Sequence, residues 1–245
     1  MYPLRYLPTG HIFISPEDDC HGIVDAMLET DYNEEFCLAR DFDVDFIARL
    51  MEAGFLVMSA MLNFDGLEIE IDPIYILLPK LHLTRSVLFF PELHIKRNIH
   101  PLLSQYELRV NTNFGQILDK CVETHGSDWL TPPLVDVIKN LHQKSTLNND
   151  ESIKPVSFEV YRDGELKAGE AGIVLGRVYT SYSGYREENN AGNVQMILMI
   201  QWLEKNGFDF FDFGMPLDYK TTLGAQDISP RRFVELFRAA TDGTL

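Results

Sequence analysis

The sequence predicts an α+β protein, with a small N-terminal α+β unit over residues 1–95 and a mixed-sheet domain over 96–245. Three observations carry this reading. From Val156 to Tyr182, apolar and polar residues alternate in segments broken at Asp163-Gly164 and at Gly176. Both residues of a two-residue hairpin turn must tolerate positive φ, so this pattern reads as an antiparallel meander. A helical stripe of Val194, Ile197, Leu198 and Trp202 follows, ends at Gly207 and leads into one further strand, Phe208 to Phe213. The front of the chain carries an amphipathic helix followed by two short apolar runs.

The elements follow in order. Residues 16–35, with Pro16-Glu-Asp-Asp19, are acidic and read as a solvated surface segment. Asp43 caps a helix whose face carries Val44, Ile47, Leu50 and Met51, and Gly54 stands at its left-handed end. Phe55 to Ala60 and Ile74 to Leu78 read as buried strands. Asn113 begins a helix bearing Phe114, Ile117, Leu118 and Cys121, and Thr131-Pro132 begins another that continues through Leu134, Val137, Ile138 and Leu141. Gln143 to Pro155, which includes Asn148-Asn-Asp-Glu-Ser152, reads as an exposed loop. Three antiparallel strands, a helix and one more strand make the kind of mixed sheet used by acyl-transferring folds, which is an analogy of fold alone.

With 245 residues, 45% of them hydrophobic, the chain can bury a substantial core. A formal charge of -16 and a pI near 4.7 argue against broad nonspecific binding to nucleic acid and favour a basic partner. Cys20, Cys37 and Cys121 form no C-x-x-C pair, which disfavours a zinc ribbon or disulfide scaffold and fits a reducing compartment. The first eight residues contain no apolar signal region, and no apolar run approaches the ~20 residues of a membrane span. A cytoplasmic protein without a membrane partner is therefore expected. The seven histidines lack metal-site spacing, so no metal is expected.

Asp212 is the most pointed residue. It lies within an aromatic strand, where an unpaired charge is costly, so it either faces water at a strand edge or sits in an environment built around it.

Several further segments, taken in order from about residue 37 to 238, resemble the leucyl/phenylalanyl-tRNA-protein transferase family. They are Cys37 to Asp45 with Ala53-Gly-Phe55, Arg85-Ser-Val-Leu-Phe-Phe-Pro-Glu-Leu-His94, Asp128-Trp-Leu-Thr-Pro132 with Leu141-His142, Gly169-Glu-Ala-Gly172 with Gly176, and Tyr182 to Arg186. Asp212 and then Leu223-Gly-Ala225, Ile228 and Pro230-Arg231 complete the series. No single motif is specific; the order and spacing carry the resemblance. It implies an acetyltransferase-like (GNAT) C-terminal domain that moves an amino acid from aminoacyl-tRNA to a protein's N-terminal α-amino group. In the bacterial family the acceptor begins with Arg or Lys, and the added residue marks the protein for degradation. The ester is already activated, so no cofactor is expected beyond the aminoacyl-tRNA co-substrate, and the chain is expected to act as a monomer.

The resemblance also assigns residues. Asp212 matches the catalytic Asp, as proton acceptor or amine-orienting group. Trp129 either stacks on the terminal adenosine of tRNA or belongs to the core. Glu170 and Ser181 line the amino-acid pocket, Arg186 supports it, and Thr222 with Gly224 and Arg231 shapes the turn after the Asp212 strand. Lys80, Arg85, Lys96 and Arg97, with His94 and His100, form the densest basic stretch and are the expected tRNA-backbone contacts. The chain departs from the family at several of these places. Gly214 replaces a Gln two residues after the catalytic Asp, Ser181 replaces a Glu, Glu170 replaces a pocket Met, and Pro79-Lys-Leu-His82 replaces a Trp pair. Glu170 either makes the pocket fit a polar or basic amino acid or turns to solvent by strand register. A noncatalytic relative that binds a peptide N-terminus or charged tRNA is the alternative reading. An acyl-coenzyme A transferase is disfavoured, because Gly192 is the only glycine in the 186–193 turn.

Overall fold

The computed structural model describes residues 2–30, 32–62, 73–148 and 152–241. Contacts divide the chain into two units, residues 1–83 with 125–141, and residues 84–124 with 142–245. The division thus falls at Leu83 rather than at 95, and it returns residues 125–141 to the first unit.

In the first unit, α1 (Cys20–Glu29) occupies the segment expected to be solvated. Acids flank it on both sides, but Cys20, Ile23, Val24 and Met27 recur at i, i+3, i+4 and i+7 and are buried, and Asp19 caps the helix by accepting from His21 N. α2 (Val44–Glu52) is capped as expected, with Asp43 accepting from Phe46 N at 2.8 Å. β1 (Leu56–Leu62) pairs antiparallel with β2 (Ile74–Lys80). The start of α5 (Pro132–Leu147) is tied to β1: Ser59 N donates to the Trp129 carbonyl at 2.9 Å, and Thr131 N donates to Ser59 Oγ at 3.1 Å. α5 continues to Leu147, so the expected loop from Gln143 is helical over its first five residues, while 149–151 of that loop lie outside the described residues.

The second unit is built on a seven-stranded mixed sheet in the order β4-β5-β6-β7-β8-β3-β9. Its strands are β3 (Arg85–Leu88), β4 (Glu107–Val110), β5 (Ile153–Arg162), β6 (Glu165–Leu175), β7 (Val178–Arg186), β8 (Phe210–Gly214) and β9 (Gln226–Ile228). Its helices are α3 (His100–Leu103), α4 (Phe114–His125), α6 (Ala191–Lys205), α7 (Asp218–Thr222) and α8 (Pro230–Thr241). The meander is β5 to β7, and Asp163 and Gly164 turn its first hairpin at φ of 55° and 81°. Glu159, buried in β5, accepts from Thr112 N at 3.2 Å, Asn113 N at 3.1 Å and Ser157 Oγ at 2.6 Å, as well as from the Thr112 hydroxyl. That carboxylate fixes the turn between β4 and α4.

The two faces of β8 go to different partners because side chains alternate along a strand. Phe211 and Phe213 join the core formed by Met199, Ile200 and Leu203 of α6 with Phe158 and Tyr179. Phe210 and Asp212 point the other way, where Phe210 meets Phe233 of α8 edge-on at 6.5 Å. β7 and β8 are the one parallel pair among the described strands, and they stay paired only through Val178↔Phe210, Tyr179↔Phe211 and Thr180↔Asp212. Beyond that point β7 remains with β6, while β8 remains with β3 as far as Ser86↔Gly214. The sheet therefore forks immediately after Asp212.

Candidate active site

Asp212 is fully buried and lies on the strand between Arg85 and Thr180. Arg85 Nε donates to Oδ1 at 2.8 Å and Nη2 donates to Oδ2 at 2.6 Å. The Thr180 hydroxyl donates to Oδ2 at 2.9 Å, and the Gly214 N–H donates to Oδ1 at 2.9 Å. These four bonds occupy the four accepting directions of a carboxylate. Burial alone would raise the Asp212 pKa; the Arg85 charge and hydrogen bonds, then those of Gly214 and Thr180, outweigh it and hold the group below the usual carboxylate range. Gly214 makes its bond at φ 74°, a left-handed conformation that favours glycine, so a side chain here would strain the turn that closes on Asp212.

Arg85 is itself buried, and its guanidinium lies 4.2 Å from the centroid of the Phe233 ring. The expectation that it contacts tRNA phosphate is therefore corrected, because a cation enclosed by β8 and α8 and paired with Asp212 has no face left for a polyanion. Lys96 and Arg97 are exposed and Lys80 is half-buried at the end of β2. Lys80 belongs to the first unit, and Lys96 and Arg97 to the second.

A second carboxylate stands near the fork. Glu170, on β6, is 3% exposed, which excludes the solvent-facing register. It accepts from the Tyr179 hydroxyl at 3.2 Å, and Ser181 and Gln195 lie near enough to lower its pKa. No ion pair holds it among the described residues. Burial pushes its pKa up to about 7 against the pull of these neighbours and of the Lys220 charge. Lys220 of α7, buried, donates to the Phe213 and Met215 carbonyls at 2.7 and 2.6 Å. Burial pushes its pKa down to about 8, while Asp212 and Glu170 oppose that shift. One ammonium thus lies in the field of both carboxylates.

The structure sets Asp212 and Gly214 at the fork, with Ser181 one residue beyond Thr180 on β7, while Glu170 lies with Tyr179 on the other face of the sheet. Thr222 is not at the fork, and its exposed hydroxyl donates back to the Asp218 carbonyl at 3.0 Å in its own helix. Arg186 is exposed six residues beyond Thr180, roughly 20 Å along the strand, where it lines a recess of about 360 Å³ with Asn189, Asn190 and Asn193. Its expected support of the pocket is corrected accordingly. Trp129 is half-buried in the first unit, where its carbonyl anchors Ser59. Gly224 has the backbone requirement expected of it: φ is 101°, and an added Cβ would lie 1.9 Å from the Glu92 carbonyl oxygen.

Sequence reasoning missed Lys220 and the pairing of Arg85 with Asp212. Lys220 carries no local signal. Arg85 is a lone cation in the apolar run 85–90, but two carboxylates, Asp209 and Asp212, stand in the aromatic run 208–213, and the sequence does not choose between them.

A family model described as leucyl/phenylalanyl-tRNA protein transferase matches residues 87–238. The leucyl/phenylalanyl-tRNA--protein transferase of Pseudomonas putida (strain W619) is 30% identical over 156 residues, covering 62% of this chain and 66% of that protein. The protein of the same name from Nitrosomonas eutropha is 28% identical over 163 residues, covering 64% and 66%. The match spans just under two thirds of each relative. Among solved structures, FemX aligns with a TM-score of 0.44 and 11% identity over 92% of this chain and 81% of that one.

Proposed function

Since the chain belongs to the leucyl/phenylalanyl-tRNA-protein transferase family, we propose that it transfers an amino acid from aminoacyl-tRNA to the N-terminal α-amino group of a protein, marking that protein for degradation. The mixed-sheet unit is then an acetyltransferase-like catalytic domain. The observation that carries this reading is the buried Asp212, matched to the catalytic carboxylate and set at the fork where β7 and β8 part.

The chemistry suits so sparse a site. An aminoacyl ester needs no further activation, so the protein has to orient the amine, accept a proton and stabilise the developing oxyanion, with no cofactor. Asp212, paired with Arg85 and bonded by Thr180, is held in one position at the fork, where the family match makes it the group that orients the amine. The acidic chain favours an acceptor with a basic first residue, and Lys80, Lys96 and Arg97 are the contacts offered to the tRNA backbone. Trp129 supplies a platform for the terminal adenosine. The donor is leucine, phenylalanine or an amino acid whose side chain can meet Glu170.

The test is a transfer assay in which the protein is incubated with peptides of varied N-terminus and each charged tRNA in turn. Transfer to an α-amine is the expected result. No transfer from any charged tRNA would overturn the reading, and leucine as the sole donor would eliminate a polar-donor pocket. Asp212→Asn is expected to abolish transfer while tRNA binding persists.

A further inference from the structure

The proton released when the amine attacks the ester has no destination in the Asp212 cluster. All four accepting directions of that carboxylate are filled, two of them by a guanidinium. Glu170 is differently placed. It has three polar neighbours, Tyr179, Ser181 and Gln195, and no ion pair among the described residues. A buried carboxylate without a paired cation is expensive for a structural role alone, which an amide would fill at lower cost. Ser181 is the first residue of β7 beyond the last pair with β8, is half-buried, and pairs with Gly172, two residues from Glu170 on β6, so that it lies beside that carboxylate and lowers its pKa. It therefore stands between the fork and the carboxylate behind it.

We propose that the proton lost by the attacking amine passes through the Ser181 hydroxyl to Glu170, and returns by the same route to the departing ribose oxygen. The inference rests on the aminoacyl-transfer reading. As the new C–N bond forms, the nitrogen gives a proton to Ser181 Oγ while the Ser181 hydroxyl proton moves to Glu170. As the ester C–O bond breaks, the proton moves back through Ser181 to the 3′ or 2′ oxygen of the tRNA ribose. Nothing is oxidised or reduced, and Glu170 ends ionised as it began.

The surroundings suit the task. A peptide α-amine titrates at about 7.7 to 8.0, close to the value of about 7 at which burial places Glu170. Among the groups whose charge reaches Glu170, Tyr179 of β7 is pushed well above its usual range, while Cys121 of α4 and Tyr219 of α7 are both pushed up to about 12. Lys220 of α7 keeps its charge below about 8, and Gln195 of α6 does not titrate. Glu170, at about 7, is thus the member of this group that changes charge at the lowest pH, ahead of Lys220 at about 8.

The experiment measures kcat and KM for an N-terminally basic peptide across pH 5 to 9, using a charged tRNA that the unmodified protein accepts. Below pH ~6.5 the unmodified protein needs both a neutral amine and an ionised Glu170, so log kcat/KM should rise with a slope near two. Glu170→Gln keeps the shape and the Tyr179 bond; it should lower kcat by about 10²- to 10⁴-fold and reduce the slope to one. Ser181→Ala should do the same, and Ser181→Thr, which keeps the hydroxyl, should restore most of kcat. An unchanged kcat with a slope of two in a folded Glu170→Gln variant would overturn the relay. So would a rise in KM alone, which would make Glu170 a binding group. An unmodified protein that transfers from no charged tRNA removes the aminoacyl-transfer reading and the relay with it, and is plainly distinct from an active protein that is indifferent to Glu170.

Discussion

Replacing Arg85 with Met would leave Asp212 buried with only the Thr180 hydroxyl and Gly214 N–H as partners. The pair loses two charge-assisted bonds of 2.8 and 2.6 Å at a carboxylate with no exposed surface, and Phe233 loses its cation neighbour. Removing one member of a buried ion pair costs about 3 to 5 kcal/mol, because the remaining charge is uncompensated. With a urea slope of about 2 kcal/mol per molar, the midpoint should fall by about 1.5 to 2.5 M at pH 7. The pH dependence follows in sign. In the native protein Asp212 titrates below its unfolded value, so its contribution is full above about pH 3.9 and is lost as pH falls through the folded value. In Arg85→Met, burial without the guanidinium raises the folded value above the unfolded one, and ionisation then opposes folding. The gap between the two proteins should therefore widen from pH 4 to pH 7. Urea titrations followed by tryptophan fluorescence and circular dichroism read both effects. A double variant, Arg85→Met with Asp212→Leu, should recover much of the loss. A single Arg85→Met variant with a midpoint within about 0.3 M of the native one at pH 7 would refute the reasoning, since an enclosed, unpaired carboxylate cannot be that well tolerated.

Three other outcomes are expected. Gly224→Ala should lower stability by more than about 1 kcal/mol, seen as a reduced Tm, because its Cβ would collide with the Glu92 carbonyl at a positive φ. Glu159→Ala should cost about 3 kcal/mol by stranding the N–H groups of Thr112 and Asn113, and hydrogen exchange at those two amides should accelerate. Replacing both Lys96 and Arg97 with Ala should weaken tRNA binding and flatten the plot of log affinity against log salt by about 1.4 to 1.8, whereas an unchanged slope would remove them from the interface.

The parts of the fold set by local pattern could be read from the chain. Asp43 and Thr131-Pro132 mark helix starts through capping chemistry, and Asp163-Gly164 marks the hairpin through its φ requirement. The parts set by long-range packing could not. β3 is four residues buried on both faces, with no alternation to distinguish it, and its place in the sheet comes from β8 and β9 far along the chain. α1 was hidden because the acids that flank it dominate residues 16–35, although the spacing was present. Asp212 could be singled out as a charge in an apolar strand, and Glu170 as a carboxylate where the family resemblance expects an apolar residue. That one is paired and the other is not could not be read, because Arg85 is 127 residues from Asp212 and nothing in the sequence fixes the register between them.

That separation has a consequence for synthesis. A ribosome delivers β3 early, and β3 must wait for β8 to arrive before Arg85 meets its carboxylate; β9, on its other side, comes later still. Until then the guanidinium remains hydrated and the middle of the sheet is unfinished, while the helices of the first unit can already have folded. The Arg85–Asp212 pair therefore closes only after β8 has been made, and a stalled chain ending before Asp212 would carry Arg85 without its carboxylate.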